Sequence, residues 1–468
     1  MCPCVRFSVF IISENARFVN NPASKSASKN KNAPNLNTKV IISLYHKENG
    51  INPDKRRRRI MSFPINFWYG IRPDFISRER LCEAKEAGFN IIECRYDAKT
   101  NKKVLEWCEE LGLKTYLWDD RMKNAINEAE GWQEALSQMI AEYKDYPALD
   151  RYFIKDEPNN DAIPMLARIA KFIREHDPKH GFYVNLFPDA AFPNYEAYTE
   201  HMENYITATG CDLLSFDRYC MNRLEATPEM LASGEFVEAR VSDCSRCKND
   251  LEGKIFFEVT TPGYFNNMEL VKKKADEKNI PWMIIVLVSE HLTYRHVTEA
   301  EIRFEAFSAL AYGASQLSYF TYWTPGASHT EPWKYSHGII QSDGTRDENY
   351  YIVQRINSEL QSLYAGLEGA SHSAVFHVGE ERDELVTHFS GYGDVSDISG
   401  GRIIAGFFEN NLILMNKDFN SVTVARVRTD KTVERYSKYA KVWYKLDKRE
   451  EYNIRLSAGD AELIRLVD

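Results

Sequence analysis

From residue 67 to residue 322 the chain alternates short apolar runs with longer amphipathic ones, and this alternation constrains the fold more than any other feature. The apolar runs fall at 67–71, 89–94, 113–118, 150–158, 182–186, 212–216, 282–288 and 316–322. Buried parallel strands read as continuous hydrophobic runs because helices cover both faces of the sheet. Helical stretches lie between them at 78–87, 104–111, 132–146, 163–176, 268–278 and 298–312. Gly88, Gly112 and Pro147 close the first three, as helix C-termini prefer. Eight strands alternating with helices predict an α/β fold of the (β/α)8 TIM-barrel type. Residues 222–263 break the rhythm and read as an elaborated loop with a short strand of its own at 255–259.

After about residue 365 the pattern changes. Short β-like runs at 374–376, 385–387, 403–408, 412–415, 422–427 and 463–466 are separated by Gly, Asp, Asn and Ser. That spacing predicts a small C-terminal antiparallel β-sandwich, packed on the barrel and supporting it. Three segments are therefore expected: an extension over 1–61, a barrel over 62–364 and the sandwich over 365–468. The extension is polar and low in complexity, so disorder is expected there. Met61, just before the folded pattern, is a candidate initiation site. The N-terminus is not a convincing signal peptide; the expected location is cytoplasmic, or exported if this N-terminus is misassigned.

Charge and composition narrow the function. Residues 1–60 hold 12 of the 59 Lys and Arg but only 3 of the 68 Asp and Glu, leaving an acidic body. Its charge argues against a nucleic-acid enzyme, which needs a basic face. No apolar run is long enough to span a membrane. Cys82, Cys94, Cys108, Cys211 and Cys220 fall within strand or helix patterns and read as small buried hydrophobes. Cys244 and Cys247 form half of a zinc-ligand spacing without a second half. No metal and no cofactor are expected.

The residues that follow each strand converge on one end of a TIM barrel. They are Trp68 and Arg72, Arg95 and Asp97, Trp118 with Asp119 and Asp120, and Asp156 with Glu157. The later strands bring Asn185, then Asp217, Arg218 and Tyr219, then Glu290 and His291, and last Tyr322 and Trp323. Carboxylates mixed with tryptophan and tyrosine suit a sugar, whose C–H faces stack on rings and whose hydroxyls bond to acids. A phosphate site would want glycine-rich loops near the last two strands, and the sequence has none there. Glycoside hydrolysis needs two carboxyl groups, one protonated and one ionised. In the run Asp150-Arg151-Tyr152-Phe153-Ile154-Lys155-Asp156-Glu157-Pro158, strand alternation lets only one of the two adjacent acids face the cleft. Its partner is Glu290, or else Asp217.

Asp156-Glu157-Pro158 resembles the Asn-Glu-Pro at the end of strand four in the large clan of retaining glycoside hydrolases built on this barrel. The block Tyr319-Phe320-Thr321-Tyr322-Trp323-Thr324-Pro325 is similar to the end of the barrel in β-galactosidase-like members near family 42. So are Gly338-Ile339-Ile340, Asp343-Gly344-Thr345 and Leu456-Ser457-Ala458-Gly459-Asp460. The resemblance spans roughly residues 62–468. It implies that Glu157 is the acid/base, that Glu290 takes the nucleophile's place, and that Trp323 is a sugar-stacking platform. Asp156 stands where the clan has Asn. The expected activity is hydrolysis of a β-linked glycan with retention, with Trp68, Trp118, Tyr219 and Trp323 lining the subsite and Arg95, Asp156 and Asn185 as polar contacts. The alternative is a non-catalytic carbohydrate-binding barrel that lacks the nucleophile. Oligomeric state is not legible.

Overall fold

A computed structural model describes residues 62–225, 227–233, 238–241, 256–326 and 333–468. The N-terminal extension, the Met61 start and the Cys244/Cys247 pair lie outside the described residues. No helix among the described residues is long and apolar enough to cross a membrane.

The first six strands are β1 (Ile65–Trp68), β2 (Ile91–Arg95), β3 (Lys114–Trp118), β4 (Leu149–Asp156), β5 (Gly181–Leu186) and β6 (Leu214–Asp217). An inserted antiparallel sheet follows, made of β7 (Met221–Glu225), β8 (Glu238–Val241) and β9 (Phe256–Thr260). Then come β10 (Trp282–Leu287) and β11 (Gln316–Phe320). Eight of these strands form one parallel sheet in the order β1-β11-β10-β6-β5-β4-β3-β2. Its two ends meet through Asn90, whose backbone N–H donates to Ile65 O at 3.1 Å and whose side-chain oxygen accepts from Ile65 N–H at 2.8 Å. The result is the (β/α)8 barrel expected from the alternation.

Strand limits differ from expectation where the backbone turns. β1 stops at Trp68 because Tyr69 takes a left-handed φ of +56°, which cannot continue a ladder. β11 stops at Phe320, two residues earlier than its apolar run. The interior is filled by Ile91, Tyr116, Phe153, Tyr183, Leu213 and Met283, with Trp68 and Trp118 above them. These sit at alternate positions of their strands, as a period of two requires.

The helix Glu348–Gly366 leads from the barrel into nine further strands: β12 (His372–Val378), β13 (Val395–Ser399), β14 (Ile403–Phe408), β15 (Asn411–Asn416), β16 (Thr423–Thr429), β17 (Thr432–Ser437), β18 (Val442–Lys445), β19 (Glu451–Leu456) and β20 (Ala461–Val467). They form a six-stranded sheet, β12-β14-β15-β20-β17-β18, and a three-stranded one, β13-β16-β19. Both are antiparallel, and a second apolar core lies between them. This is the sandwich. The run 385–387 is a turn rather than a strand. β13, β17, β18 and β19 escaped the sequence reading; in β19 polar residues occupy the outward positions of Glu451-Tyr452-Asn453-Ile454-Arg455-Leu456.

The six-stranded sheet packs on the barrel helix Glu299–Ala311. Ile404, Ile413, Met415 and Leu463 join the barrel's own core. Around the contact, Arg303 pairs with Glu299, Glu359 and Asp460, and Lys438 pairs with Glu359 and Asp460. The approach is closest at Gly406, where an added Cβ would lie 2.0 Å from the Ala311 carbonyl oxygen. Gly406→Ala is expected to destabilise the fold by about 1–3 kcal/mol through overpacking. Urea unfolding followed by far-UV circular dichroism reads the loss.

Candidate active site

The cleft begins where the interior aromatic layer ends. Phe153 lies at its centre, with ring centroids 4.9 Å from Trp68, 5.4 Å from Trp118 and 4.9 Å from Tyr183. Above this floor is a cavity of about 420 Å³ lined by Trp68, Arg95, Trp118, Asp120, Lys123, Lys155 and Asp156, among others. A second cavity of about 290 Å³ adjoins through Arg95 and is bounded by Tyr69, Arg72, Glu93 and Tyr96. Four of the expected substrate contacts, Trp68, Arg95, Trp118 and Asp156, thus share one cavity.

The end of β4 departs from simple alternation. The pairing of β4 with β5 shifts register between Phe153 and Asp156, and Asp156 then pairs with Asn185. Glu157 follows with φ +42°, a left-handed conformation uncommon outside glycine. Its N–H donates to the Asn185 carbonyl at 2.8 Å. The shift and the turn bring both acids to the same site. The expectation that only one could face it holds for a regular strand and fails here, because β4 does not end as one.

Asn185 is the polar hub. Its amide nitrogen donates to Asp156 at 3.2 Å and to Asp217 at 2.8 Å, while its amide oxygen accepts from the Ser215 hydroxyl at 2.9 Å. Burial, with smaller contributions from the Asp217 and Asp156 charges, pushes the Glu157 carboxyl from 4.5 up to about 8. Burial likewise raises Asp217 from 3.8 to about 6, against the Asn185 and Tyr219 hydrogen bonds that hold it down. Asp156 is also raised, chiefly by desolvation and opposed by Asn185, Lys155 and Arg95. At neutral pH this favours a protonated Glu157 beside an ionised Asp217.

Glu290 sits differently. Its side chain is only 6 % exposed, and Arg223 of β7 donates to it at 2.6 Å. The Ser336 hydroxyl donates to its other oxygen at 3.1 Å. Its charge is felt by His296 and His337, whereas the acids acting on Glu157 are Asp217 and Asp156. Asp217 is therefore the candidate partner that the structure groups with Glu157.

Tyr219 is nearly buried and packs near Tyr294, Phe320 and His291, with centroids 5.2, 5.9 and 6.2 Å away. Trp323 requires a correction. It is 0 % exposed, packed on Phe75 at 4.9 Å with the Arg80 guanidinium over its ring at 5.3 Å. A ring with no accessible face is not a stacking platform. The half-buried aromatic at the end of β11 is Phe320, which faces Tyr219, His291 and Tyr335. Its position as the last inward residue of the strand was the available signal.

Glu93 and Tyr294 were also missed. Glu93 lies inside β2, where its carboxylate accepts from Gly70 N–H at 2.7 Å. Burial raises it to about 7, opposed by the Arg95 charge and the Gly70 hydrogen bond. Tyr294 comes from the loop after β10, and its hydroxyl is raised by burial first, with Asp217 and Glu157 adding to it against Arg218. Glu93 was legible as a lone acid within an apolar strand; nothing in the local sequence marks Tyr294. No group of three or more His, Cys, Asp or Glu among the described residues is arranged to hold a metal.

Solved structures that share this fold include glycoside hydrolases. One described as a glycoside hydrolase matches with a TM-score of 0.53 and 12 % identity, over 87 % of this chain and 92 % of its own. A family 5 glycoside hydrolase from Bacteroides vulgatus matches with a TM-score of 0.50 and 11 % identity, over 87 % and 89 %. The β-galactosidase of Marinomonas ef1 gives 0.44 and 10 %, over 65 % of this chain, which spans 60 % of that enzyme. At these identities the likeness is one of fold. No family model and no curated protein matches the sequence.

The raised Glu157 carboxyl has a consequence for stability. A group whose pKa is higher folded than unfolded makes the folded state lose stability as pH rises between the two values, here between 4.5 and about 8. Glu157→Gln removes that loss. Its melting temperature relative to wild type is expected to be more favourable at alkaline than at acidic pH, which differential scanning calorimetry across the range reads directly; an offset independent of pH refutes the raised carboxyl.

Proposed function

We propose that this protein is a glycoside hydrolase that cleaves a β-linked glycan or oligosaccharide, with Glu157 as general acid/base and Asp217 as the ionised partner. The observation that carries the reading is the grouping of Glu157 and Asp217 at the C-terminal end of the barrel, one raised to about 8 and the other to about 6. A two-carboxylate mechanism needs that division of protonation. In the first step Glu157 protonates the glycosidic oxygen while the Asp217 carboxylate attacks the anomeric carbon. In the second, Glu157 takes a proton from a water whose oxygen attacks the anomeric carbon, the bond from that carbon to Asp217 breaks to regenerate the carboxylate, and the sugar is released with retention. Asn185 orients Asp217, and the tryptophans Trp68 and Trp118 receive the sugar's apolar face.

The Arg223–Glu290 pair has a structural part in this reading: it ties the inserted sheet to the loop after β10. Breaking a buried pair by removing one partner costs about 3–5 kcal/mol, so Glu290→Ala is expected to lose stability as well as activity. The binding-only alternative assumed a missing second carboxylate; Asp217 supplies one, which favours catalysis.

The test is hydrolysis of aryl β-glycosides by wild type, Glu157→Gln, Asp217→Ala and Glu290→Ala. Glu157→Gln is expected to lower kcat about 10²–10⁴-fold, and azide is expected to rescue Asp217→Ala with an inverted glycosyl azide. Rescue of Glu290→Ala in its place would return the nucleophile to the strand-seven end. The pH profile of kcat/KM is expected to be bell-shaped, with limbs near 6 and near 8 set by the pair as a unit.

A further inference from the structure

The cavity beside the carboxylates carries cations that the fold has left without partners. Arg95, Lys123 and Lys155 all line the 420 Å³ cavity. Among the described residues none of the three has a carboxylate within salt-bridge distance. Arg95 is held over the Trp118 ring at 5.0 Å and is otherwise open to the cleft. Other arginines of this acidic protein are treated differently. Arg121 pairs with Asp119 and Glu142, Arg151 with Asp212, Arg218 with Asp189, Arg223 with Glu290, and Arg295 with Glu301.

The acids on the same wall do not cancel the charge. They are Asp120 and Asp156, so the lining stays net positive even with both ionised. Asp156 is already engaged by Asn185 at 3.2 Å. Across the adjoining cavity Arg72, paired at 3.0 Å with the exposed Asp74, and Glu93, on whose carboxyl the Arg95 charge acts, add one cation and one acid, so the positive balance of the first cavity is kept. The floor is aromatic, formed by Trp68, Trp118 and Phe153. A ring laid on that floor would reach three cations with its substituents while its linkage lay towards Glu157, the residue next to Asp156.

We infer that this cavity is a subsite for an anionic sugar residue, whose carboxylate or sulfate ester is bound by Arg95, Lys123 and Lys155. The inference rests on the glycoside-hydrolase reading and narrows it to charged glycans. A uronate and a sulfated sugar present the same chemistry to these residues, a multidentate oxyanion on a pyranose.

Calorimetric binding to the inactive Glu157→Gln protein tests it without requiring turnover. The probes are two pairs matched except for charge: p-nitrophenyl β-D-glucoside against the β-D-glucuronide, and p-nitrophenyl β-D-galactoside against its 6-sulfate. The charged member of at least one pair is expected to bind about tenfold more tightly at low ionic strength, with the preference shrinking at about 0.5 M NaCl. The pair that shows it identifies carboxylate or sulfate. Lys123→Ala is expected to weaken the charged member more than the neutral one, and Lys123→Glu to do so more strongly. Equal or weaker binding of the charged members in both pairs overturns the subsite, as does an equal loss for charged and neutral probes in the lysine variants. Turnover of neutral glycosides by wild type alongside such a result would leave the hydrolase standing and remove only the anionic subsite. Selective charged-sugar binding with no turnover of any probe would do the reverse.

Discussion

The chain direction at the end of β4 is the constraint on which the site depends. Counting by twos from the inward Phe153, a regular strand would turn Asp156 outward, against the helices that pack around the barrel, and once the register has shifted it is Glu157 that would follow outward. An unpaired carboxylate buried there is costly. The shifted pairing after Phe153 and the left-handed Glu157 avoid this. A non-glycine residue in that conformation costs about 1–2 kcal/mol, offset in part by the Glu157 N–H bond to the Asn185 carbonyl. Pro158 follows, and having no N–H it asks nothing of the ladder that has just ended. Three consecutive residues therefore stop the strand, aim two carboxylates at one site and start the next connection.

What separates the carboxylates of the cleft is access to a cation. Glu290 has Arg223 and Asp189 has Arg218, and both are tied into the structure. Glu157 and Asp217 have no cation in salt-bridge contact among the described residues, and burial raises both. Asn185 breaks the symmetry between them. Its amide donates to Asp217 and to Asp156 but not to Glu157, so the ionised form is favoured at the two aspartates and the proton stays on the glutamate. In the proposed mechanism this neutral side chain decides which acid is the donor. Two like charges in one pocket cannot both ionise freely, and a single amide is enough to order them.

The barrel was legible because a buried parallel strand must be apolar along its whole length, and that signal survives without knowledge of partners. The site was legible where side chains follow the strand period: Trp68, Arg95, Trp118, Asn185 and Asp217 are each at or next to the last inward position of a strand. Past the strand ends the local sequence says less. Trp323 lies three residues past β11, where Trp323 and Ile340 form a bridge and its ring turns towards Phe75. Glu290 lies three residues past β10, in a segment paired with Ser336. The partner that engages it comes from the inserted sheet. No local pattern announces such contacts, since both partners are distant in sequence and polar. The sandwich strand β19 was hidden for another reason, a period of two whose outward half is polar.

The distribution of satisfied charge separates scaffold from site. Where the sandwich meets the barrel, ionisable groups are numerous, buried and matched. Lys417 donates to Glu381 at 2.7 Å and lies 3.0 Å from His377, which in turn contacts the Tyr312 hydroxyl at 2.6 Å. Asp383 accepts from the backbone of Gly263 and Phe265, each at 2.6 Å, and so caps the helix Tyr264–Lys278 from the connection after β12. Buried charge of this kind is tolerated only when every partner is in place, and a joint so completed has no remaining capacity to bind. The cleft is the opposite case. It holds carboxylates that favour protonation, an arginine resting on a tryptophan, and lysines directed at an open cavity. The arginine and the lysines line one cavity with Asp120 and Asp156 and, among the described residues, are in salt-bridge contact with neither. Such an arrangement is held by the rigidity of the strands beneath it, not by mutual neutralisation. The complement we infer for it is a ligand that offers hydroxyls, an apolar ring face and negative charge together.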